Sequence, residues 1–345
     1  MTTSPVARGE LRSWLLSAVA AACGVEPAKI DPEERFHRYG LDSLRASRLI
    51  AALGERLGRA LSPTLAWEHP TVDSLVSHLL GDRAAGPGEA RGPEAPAEPI
   101  AIVGMACRIP QAPDVAAFWR LLRDGIDAVG EVPAERGWDE LLTTRGVSPA
   151  ERATVRRGAF LARLDGFDAM FFGISPREAA AMDPQQRLML ELAWEALEDA
   201  GLAPRSLTGT ATGVFAGAIW SDYEDLLFRG GAPALGPYTV TGSHYSIIAN
   251  RVSYVLGLRG PSMTIDSACS SGLVVTHLAC ESLRRGESTV ALAGAVNLNV
   301  RPESALAVQR FGALSPSGRC RTFDARADGY VRGEGGGLIV LKTLA

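Results

Sequence analysis

The stretch GDRAAGPGEARGPEAPAEP, residues 81 to 99, is rich in Ala, Gly, Pro and Glu and has almost no large apolar side chain. A segment of that composition cannot bury enough surface to offset its ordering entropy, so it serves as a tether that its prolines partly extend. The chain is therefore expected to fold as two bodies, a small one over residues 9–80 and a large one over 99–345, joined by a linker over 81–98. Length agrees, because 345 residues suggest two or three domains.

The small body reads as helices. Leu11, Leu15, Leu16 and Val19 form one apolar face, and Leu44, Leu49, Ile50, Leu53 and Leu57 form another at helical spacing. A last short helix is predicted after Thr71, an N-cap ahead of Val72, Leu75, Val76 and Leu79. Three or four helices in about eighty residues point to a small bundle. Within it, Gly40-Leu41-Asp42-Ser43-Leu44 opens the second helix and places Ser43 at or beside its N-cap. Capping alone is one reading of that serine.

The large body alternates strand and helix signals. Strands are predicted at 100–103, 212–216, 262–265, 289–293 and 338–341, and helices at 115–123, 177–200, 246–256 and 272–285. That order argues for a layered α/β domain. Cys269, in Asp266-Ser267-Ala268-Cys269-Ser270-Ser271, falls at a corner between a strand and a helix. Free N–H groups at a helix N-terminus favour a thiolate and could hold the oxyanion formed when it attacks a thioester. A buried structural cysteine is the other reading of the same residues. The local sequence leaves both open.

Composition excludes several classes. The net charge of −4 and the lack of a basic tract argue against a nucleic-acid binder. The five cysteines, 23, 107, 269, 280 and 320, form no Cys-x-x-Cys pair and no zinc-like cluster, which fits a reducing cytoplasm and predicts no metal. The N-terminal residues lack the apolar core of a signal peptide, and no apolar run is long enough to span a bilayer.

With Phe36 and Tyr39 ahead of it, Trp67-x-x-Pro70-Thr71-Val72 behind it and the helices around it, the Gly-x-Asp-Ser-Leu motif resembles that of acyl carrier proteins of polyketide and fatty-acid synthases. The resemblance implies that Ser43 carries covalent 4′-phosphopantetheine, installed by a phosphopantetheinyl transferase. A phosphodiester there would lie at a helix N-terminus, where the dipole favours an anion. Arg45, Arg48, Arg56 and Arg59 outnumber Glu55 on this helix, which is either a solvated basic face or one that docks on an acidic partner surface.

A second resemblance covers the large body. Ile102-Val103-Gly104-Met105-Ala106-Cys107-Arg108, Phe171-Phe172-Gly173-Ile174-Ser175-Pro176-Arg177-Glu178-Ala179, Met182-Asp183-Pro184-Gln185-Gln186-Arg187, the Cys269 hexapeptide and Asp328-Gly329-Tyr330-Val331-Arg332-Gly333-Glu334-Gly335 occur in this order. Together they resemble the β-ketoacyl synthase domain of modular type I polyketide synthases. The resemblance implies a thiolase-like fold, of which this is the first half, paired as a homodimer, with Cys269 as the acyl-accepting nucleophile. Its substrates would be an acyl thioester and a malonyl-type extender on carrier domains, passed among synthase modules. It also implies two histidines that polarise the extender thioester during decarboxylative condensation.

Those histidines have no counterpart here: the chain has only His37, His69, His78, His244 and His277, none in the matching context. His277 is expected to be a packed helix residue, Cys280 part of a core, and Met182, Met189 and Trp194 core contacts. Gly333-Glu334-Gly335-Gly336-Gly337 lacks the Lys-Ser or Lys-Thr of a phosphate loop and is expected to be a tight turn. The chain thus reads as a fragment of a longer synthase that would expose apolar faces meant for a second half. The leading expectation is an acyltransferase of the β-ketoacyl synthase type. The alternatives are a carrier and docking piece without catalysis, or a cysteine acyl-transfer enzyme without condensation.

Overall fold

The computed structural model describes residues 8–41, 43–62, 64–80, 98–144, 146–232 and 235–344, and the side chains of Ser43, Leu44 and Thr144 lie outside the description. The chain divides into two compact units, Met1–Pro93 and Glu94–Ala345. Of the expected linker, residues 81–97 lie outside the described residues.

The first unit consists of α1 (Arg8–Cys23), α2 (Ser43–Leu57), α3 (Leu65–Glu68) and α4 (Val72–Leu79). The predicted apolar faces meet in one core: Leu11, Leu15 and Val19 of α1, Leu49, Ile50 and Leu53 of α2, and Val72, Leu75 and Val76 of α4 are buried together. Thr71 caps α4 as expected. Its hydroxyl accepts from the Ser74 N–H at 3.1 Å, and the Ser74 hydroxyl accepts from the Thr71 N–H at 3.1 Å, so two otherwise free donors are satisfied reciprocally. Arg12 pairs with Asp73 through two hydrogen bonds of 2.6 and 3.1 Å, tying α1 to α4.

The second unit begins with β1 (Ile100–Arg108), α5 (Val115–Arg123), β2 (Gly130–Glu131), α6 (Trp138–Thr144), α7 (Pro149–Val155) and β3 (Arg157–Gly158). It continues with α8 (Pro176–Ala181), α9 (Pro184–Asp199), β4 (Thr212–Gly217), α10 (Asp222–Arg229), α11 (Thr239–Ser243) and α12 (Ser246–Leu256). β5 (Ser262–Ile265), α13 (Ser271–Arg284), β6 (Val290–Asn297), α14 (Pro302–Arg310) and β7 (Gly335–Thr343) complete it.

The main sheet has the order β1-β7-β6-β4-β5, with β6, β4 and β5 parallel and β7 antiparallel to both of its neighbours, β6 and β1. Side chains alternate between its faces, as the pleat requires. Val214, Ala216, Leu292, Leu338 and Val340 pack against α9 and α12, while Phe215, Ala291, Ala293 and Leu341 pack against α13. The result is the layered α/β unit the alternation predicted.

Two expectations are corrected. The helix predicted over 177–200 is two helices, α8 and α9, because Pro184 supplies no N–H to a preceding turn and instead occupies the first position of a new helix. Asp183 caps that helix by accepting from the Gln185 N–H at 2.8 Å. The glycine run is not a turn: Gly335, Gly336 and Gly337 form the start of β7. Close packing explains it, since a Cβ at Gly336 would meet Val296 Cγ1 at 2.7 Å and Leu192 Cδ1 at 3.0 Å. Glycine there lets β7 press between β6 and α9.

Candidate active site

Cys269 is exposed and stands between β5 and α13. The preceding residue, Ala268, has φ +55°, a left-handed conformation that costs a residue with a Cβ on the order of 1 kcal/mol. The surrounding hydrogen bonds enforce it. The Ala268 N–H donates to Asp266 Oδ1 at 2.8 Å, and the Ala268 carbonyl accepts from the Ser271 N–H at 3.0 Å and the Ser271 hydroxyl at 2.7 Å. The Ser270 hydroxyl donates to the Ser267 carbonyl at 2.7 Å. The small polar residues around Cys269 therefore fasten a sharp elbow. They also permit close approach: a Cβ at Gly217 would meet the Ser271 and Ala295 Cβ atoms at 3.0 and 3.1 Å, so α13 begins hard against β4 and β6.

The elbow opens into a cavity of about 420 Å³. Its walls are the end of β4 at Gly217 with the residues that follow it to Trp220, Asn297 at the end of β6, and the segment from Tyr330 to Gly337. That last segment is anchored by Glu334, whose side chain is fully enclosed. Its carboxylate accepts from Arg136 Nη1 and Nη2 at 2.9 Å each, from the Leu161 N–H at 2.8 Å and from the Asn299 N–H at 2.9 Å. A buried carboxylate satisfied four times fixes the wall in one conformation.

Arg332 lies in the same wall and is buried. Its guanidinium sits 5.6 Å from the Trp220 ring centroid, and its Nη1 donates to the Ser304 hydroxyl at 3.0 Å. That hydroxyl donates in turn to Asp222 Oδ2 at 3.2 Å. Burial lowers the proton affinity of Arg332, opposed by the charge of Asp222. Burial pushes Asp222 up as well, and pushes Asp183 up to about 6. Tyr330 is raised by burial, lowered by Arg332 and raised again by neighbouring Cys269.

A second cleft of similar size, about 440 Å³, is lined by Arg108, Arg163, Arg187 and Glu191. It holds no cysteine, serine or histidine, so the chemistry favours the Cys269 cavity. Of the other cysteines, Cys107 is buried, and its thiol is pushed up by that burial. Cys280 is half-buried against the α13 core, as expected. Cys320 is exposed, and its Sγ accepts from the Val331 N–H at 3.3 Å. Met182 and Met189 are fully buried and Trp194 packs against the same core, as expected.

His277 corrects another expectation: it is exposed on the solvent side of α13 and not packed. The reason is its phase on the helix, where Val275, Ala279 and Leu283 take the buried face. Neither it nor His244 lines the Cys269 cavity. Sequence reasoning missed Arg332, Trp220, Asn297 and Glu334. A lone glutamate just ahead of a glycine-rich strand was the available signal for the last.

In the first unit, Ser43 is the first residue of α2, following a turn in which Gly40 has φ +78°. Asp42 lies outside the described residues. The N–H groups of the first turn of a helix have no partner within it, so a phosphodiester attached at this position meets a favourable field. Three arginines of the basic face reach into their own unit. Arg45 Nη1 donates to the Gly40 carbonyl at 3.2 Å, Arg56 lies 5.5 Å from the Trp14 ring centroid, and Arg59 Nη2 donates to the Leu79 carbonyl at 3.4 Å.

Comparison with known proteins matches residues 97–345 to the family described as "Beta-ketoacyl synthase, N-terminal domain" and residues 13–79 to "Phosphopantetheine attachment site". Polyketide synthase GfsA of Streptomyces halstedii is 59% identical over 247 residues, which cover 72% of this chain and 3% of that protein. A phenolphthiocerol/phthiocerol polyketide synthase of Mycobacterium tuberculosis is 44% identical over 351 residues, covering 100% of this chain and 19% of the relative. The chain thus spans less than a fifth of the length of these relatives.

Among solved structures, the oxazolomycin ketosynthase domain of Streptomyces albus superposes with a TM-score of 0.65 at 42% identity, covering 71% of this chain and 42% of that one. The ketosynthase from module 6 of the bacillaene synthase of Bacillus subtilis gives 0.64 at 39% identity, with 71% and 40% covered. The second unit has the fold of the N-terminal half of these thiolase-like ketosynthases.

Proposed function

The chain belongs to the β-ketoacyl synthase family, with a phosphopantetheine attachment domain ahead of the synthase domain, and on that premise we propose that Cys269 is its acyl acceptor and Ser43 its attachment residue. The synthase domain supports reading it as part of a condensing enzyme. The finer activity, acyl transfer to Cys269 in a polyketide synthase, rests chiefly on one observation: the one cysteine among the described residues that line the cavity stands on an elbow whose strained residue is held by three hydrogen bonds.

When attached, 4′-phosphopantetheine supplies a flexible thiol that carries an acyl chain as a thioester. The helix start at Ser43 suits its phosphodiester. At the second unit, the thiolate of Cys269 attacks the carbonyl carbon of an acyl thioester. A bond forms to Cys269 Sγ, the carbonyl oxygen takes the negative charge, and collapse expels the carrier thiolate. Backbone N–H donors left free at a helix start would stabilise that oxyanion. Condensation with a malonyl-type extender, the phosphopantetheinyl transferase, partner modules, a second copy of the chain and a cytoplasmic setting belong to the same reading. Among the described residues no helix is long and apolar enough to cross a membrane.

The test pairs two variants. Incubated with an acyl thioester of a small thiol, the chain is expected to gain an acyl group that Cys269→Ala abolishes and Ser43→Ala retains. Incubated with coenzyme A and a phosphopantetheinyl transferase, it is expected to gain the arm, which Ser43→Ala abolishes and Cys269→Ala retains. Acyl uptake by the second unit of Cys269→Ala would overturn the nucleophile assignment.

A further inference from the structure

The buried stripe of α13 opens on a polar residue. Val275, Ala279 and Leu283 pack apolar surface against the sheet, while Ser271, one turn ahead of Val275 and equally buried, brings a hydroxyl to the same face. A buried hydroxyl is tolerated where its hydrogen bonds are made. Those of Ser271 go to the elbow: its Oγ accepts from the Ser267 N–H at 3.0 Å and donates to the Ala268 carbonyl at 2.7 Å.

The two bonds close a ring across Ser267 and Ala268. The backbone rotations of both residues are thereby fixed together, among them the left-handed φ of +55° at Ala268. The Ala268 carbonyl belongs to the planar peptide that leads into Cys269, and it accepts from the Ser271 N–H at 3.0 Å as well. One residue thus holds that plane with two donors, and the plane sets where the Cys269 side chain starts. Ser271 is itself fixed by packing, since a Cβ on Gly217 would come within 3.0 Å of the Ser271 Cβ and 3.1 Å of the Ala295 Cβ. Ser270 differs on both counts: it is exposed, and its hydroxyl reaches only Ser267.

We infer that Ser271 is a positioning residue for the reaction at Cys269: its buried hydroxyl holds Ala268 in the left-handed conformation that presents the thiol to the acyl thioester. This rests on Cys269 being the acyl acceptor. The rigidity of β4 and β6 is passed through Ser271 to the elbow, and from the elbow to the nucleophile.

The experiment uses the full chain and the butyryl thioester of N-acetylcysteamine, with butyryl gain on the Cys269 peptide followed by mass spectrometry over a range of thioester concentrations. Ser271→Ala is expected to lower the limiting rate by on the order of tenfold to a hundredfold, as misplacement of a reacting group by ~1 Å does. The half-saturating concentration is expected to change little. The pH at which iodoacetamide alkylation of Cys269 is half-maximal is expected to stay in place, because the substitution moves the thiol and changes no charge. Ser271→Ala combined with Ala268→Gly is expected to recover most of the lost rate, since glycine adopts a positive φ without the penalty a Cβ brings. Should Ser271→Ala lack the thermal melt of the unaltered chain, the double variant decides alone, and is expected to fold and to react at close to the unaltered rate.

A folded Ser271→Ala chain with an unchanged limiting rate would overturn the inference. A double variant that stays slow or does not fold would overturn it too, because the loss would not pass through Ala268. So would a shift of the alkylation midpoint large enough to account for the lost rate, which would make Ser271 act on ionisation and not on placement. All of these spare the nucleophile assignment. No butyryl gain at Cys269 in the unaltered chain would overturn both readings together.

Discussion

The starts of α2 and α13 are both assigned to acyl chemistry, yet they are built differently. The entry to α2 is held by nearby residues: Gly40 turns the backbone, and Arg45 reaches back to its carbonyl. The entry to α13 is fastened locally too, through Asp266, Ser267 and Ser271, but it is also packed from across the sequence, by Gly217 and Ala295 beneath it and by the wall from Tyr330 to Gly337 beside it. A serine that another enzyme must modify needs a helix end that can be reached. A nucleophile that must position an acyl chain needs walls, and walls come from distant parts of the chain.

That contrast is broken most directly at the two residues themselves. Cys269→Ala is expected to remove acyl uptake by the second unit completely and leave modification at Ser43 untouched, with Ser43→Ala doing the reverse, as read by peptide mass mapping. A chain in which either substitution silenced both sites would show that the two helix starts do not act independently.

The next largest effect is expected from the anchor of the cavity wall. Glu334→Ala removes one partner of a buried pair and leaves Arg136 uncompensated, which costs about 3–5 kcal/mol. Chemical denaturation should show the second unit losing that stability while the first unit's transition stays in place.

Asp183 sharpens the comparison through pH. Burial raises its folded pKa from 3.8 to about 6, so its carboxyl is more easily charged when unfolded. The stability associated with it is full below pH 3.8 and is lost as pH rises through about 6. The loss is on the order of 3 kcal/mol across that window. Asp183→Asn keeps an N-cap oxygen and should flatten the fall in the second unit's denaturation midpoint between these pH values. An unchanged slope would mean that Asp183 is not the group responsible.

The smallest effect belongs to the first unit. Thr71→Ala breaks the reciprocal cap of α4 and should lower that unit's stability by about 1 kcal/mol without moving the second.

The first unit was largely legible in sequence because its signals are local. Helical spacing marked the faces that carry Leu15, Ile50 and Leu75, and Thr71 announced its own cap. In the second unit, the bounds of α5 and α12 and the corner at Cys269 were legible for the same reason. What escaped depends on partners far away in the chain. Nothing near Gly336 says that Leu192 and Val296 will close on it, so a strand looked like a turn. Arg332 meets Trp220 and Ser304 only after folding, and Glu334 meets Arg136 across nearly the whole unit. α6, α7 and α14, gathered around Trp138, were missed because their shared core is assembled from separate short segments.

The most direct test of the account is to expose the chain to a limiting acyl thioester and map acylation across Cys23, Cys107, Cys269, Cys280 and Cys320. Cys269 and Cys320 are both exposed, so exposure alone would label the two alike. The account predicts acyl groups on Cys269 with Cys320 left unmodified, because only Cys269 stands on the elbow and lines the cavity. Equal labelling of Cys320, or labelling of Cys320 in preference to Cys269, would contradict it.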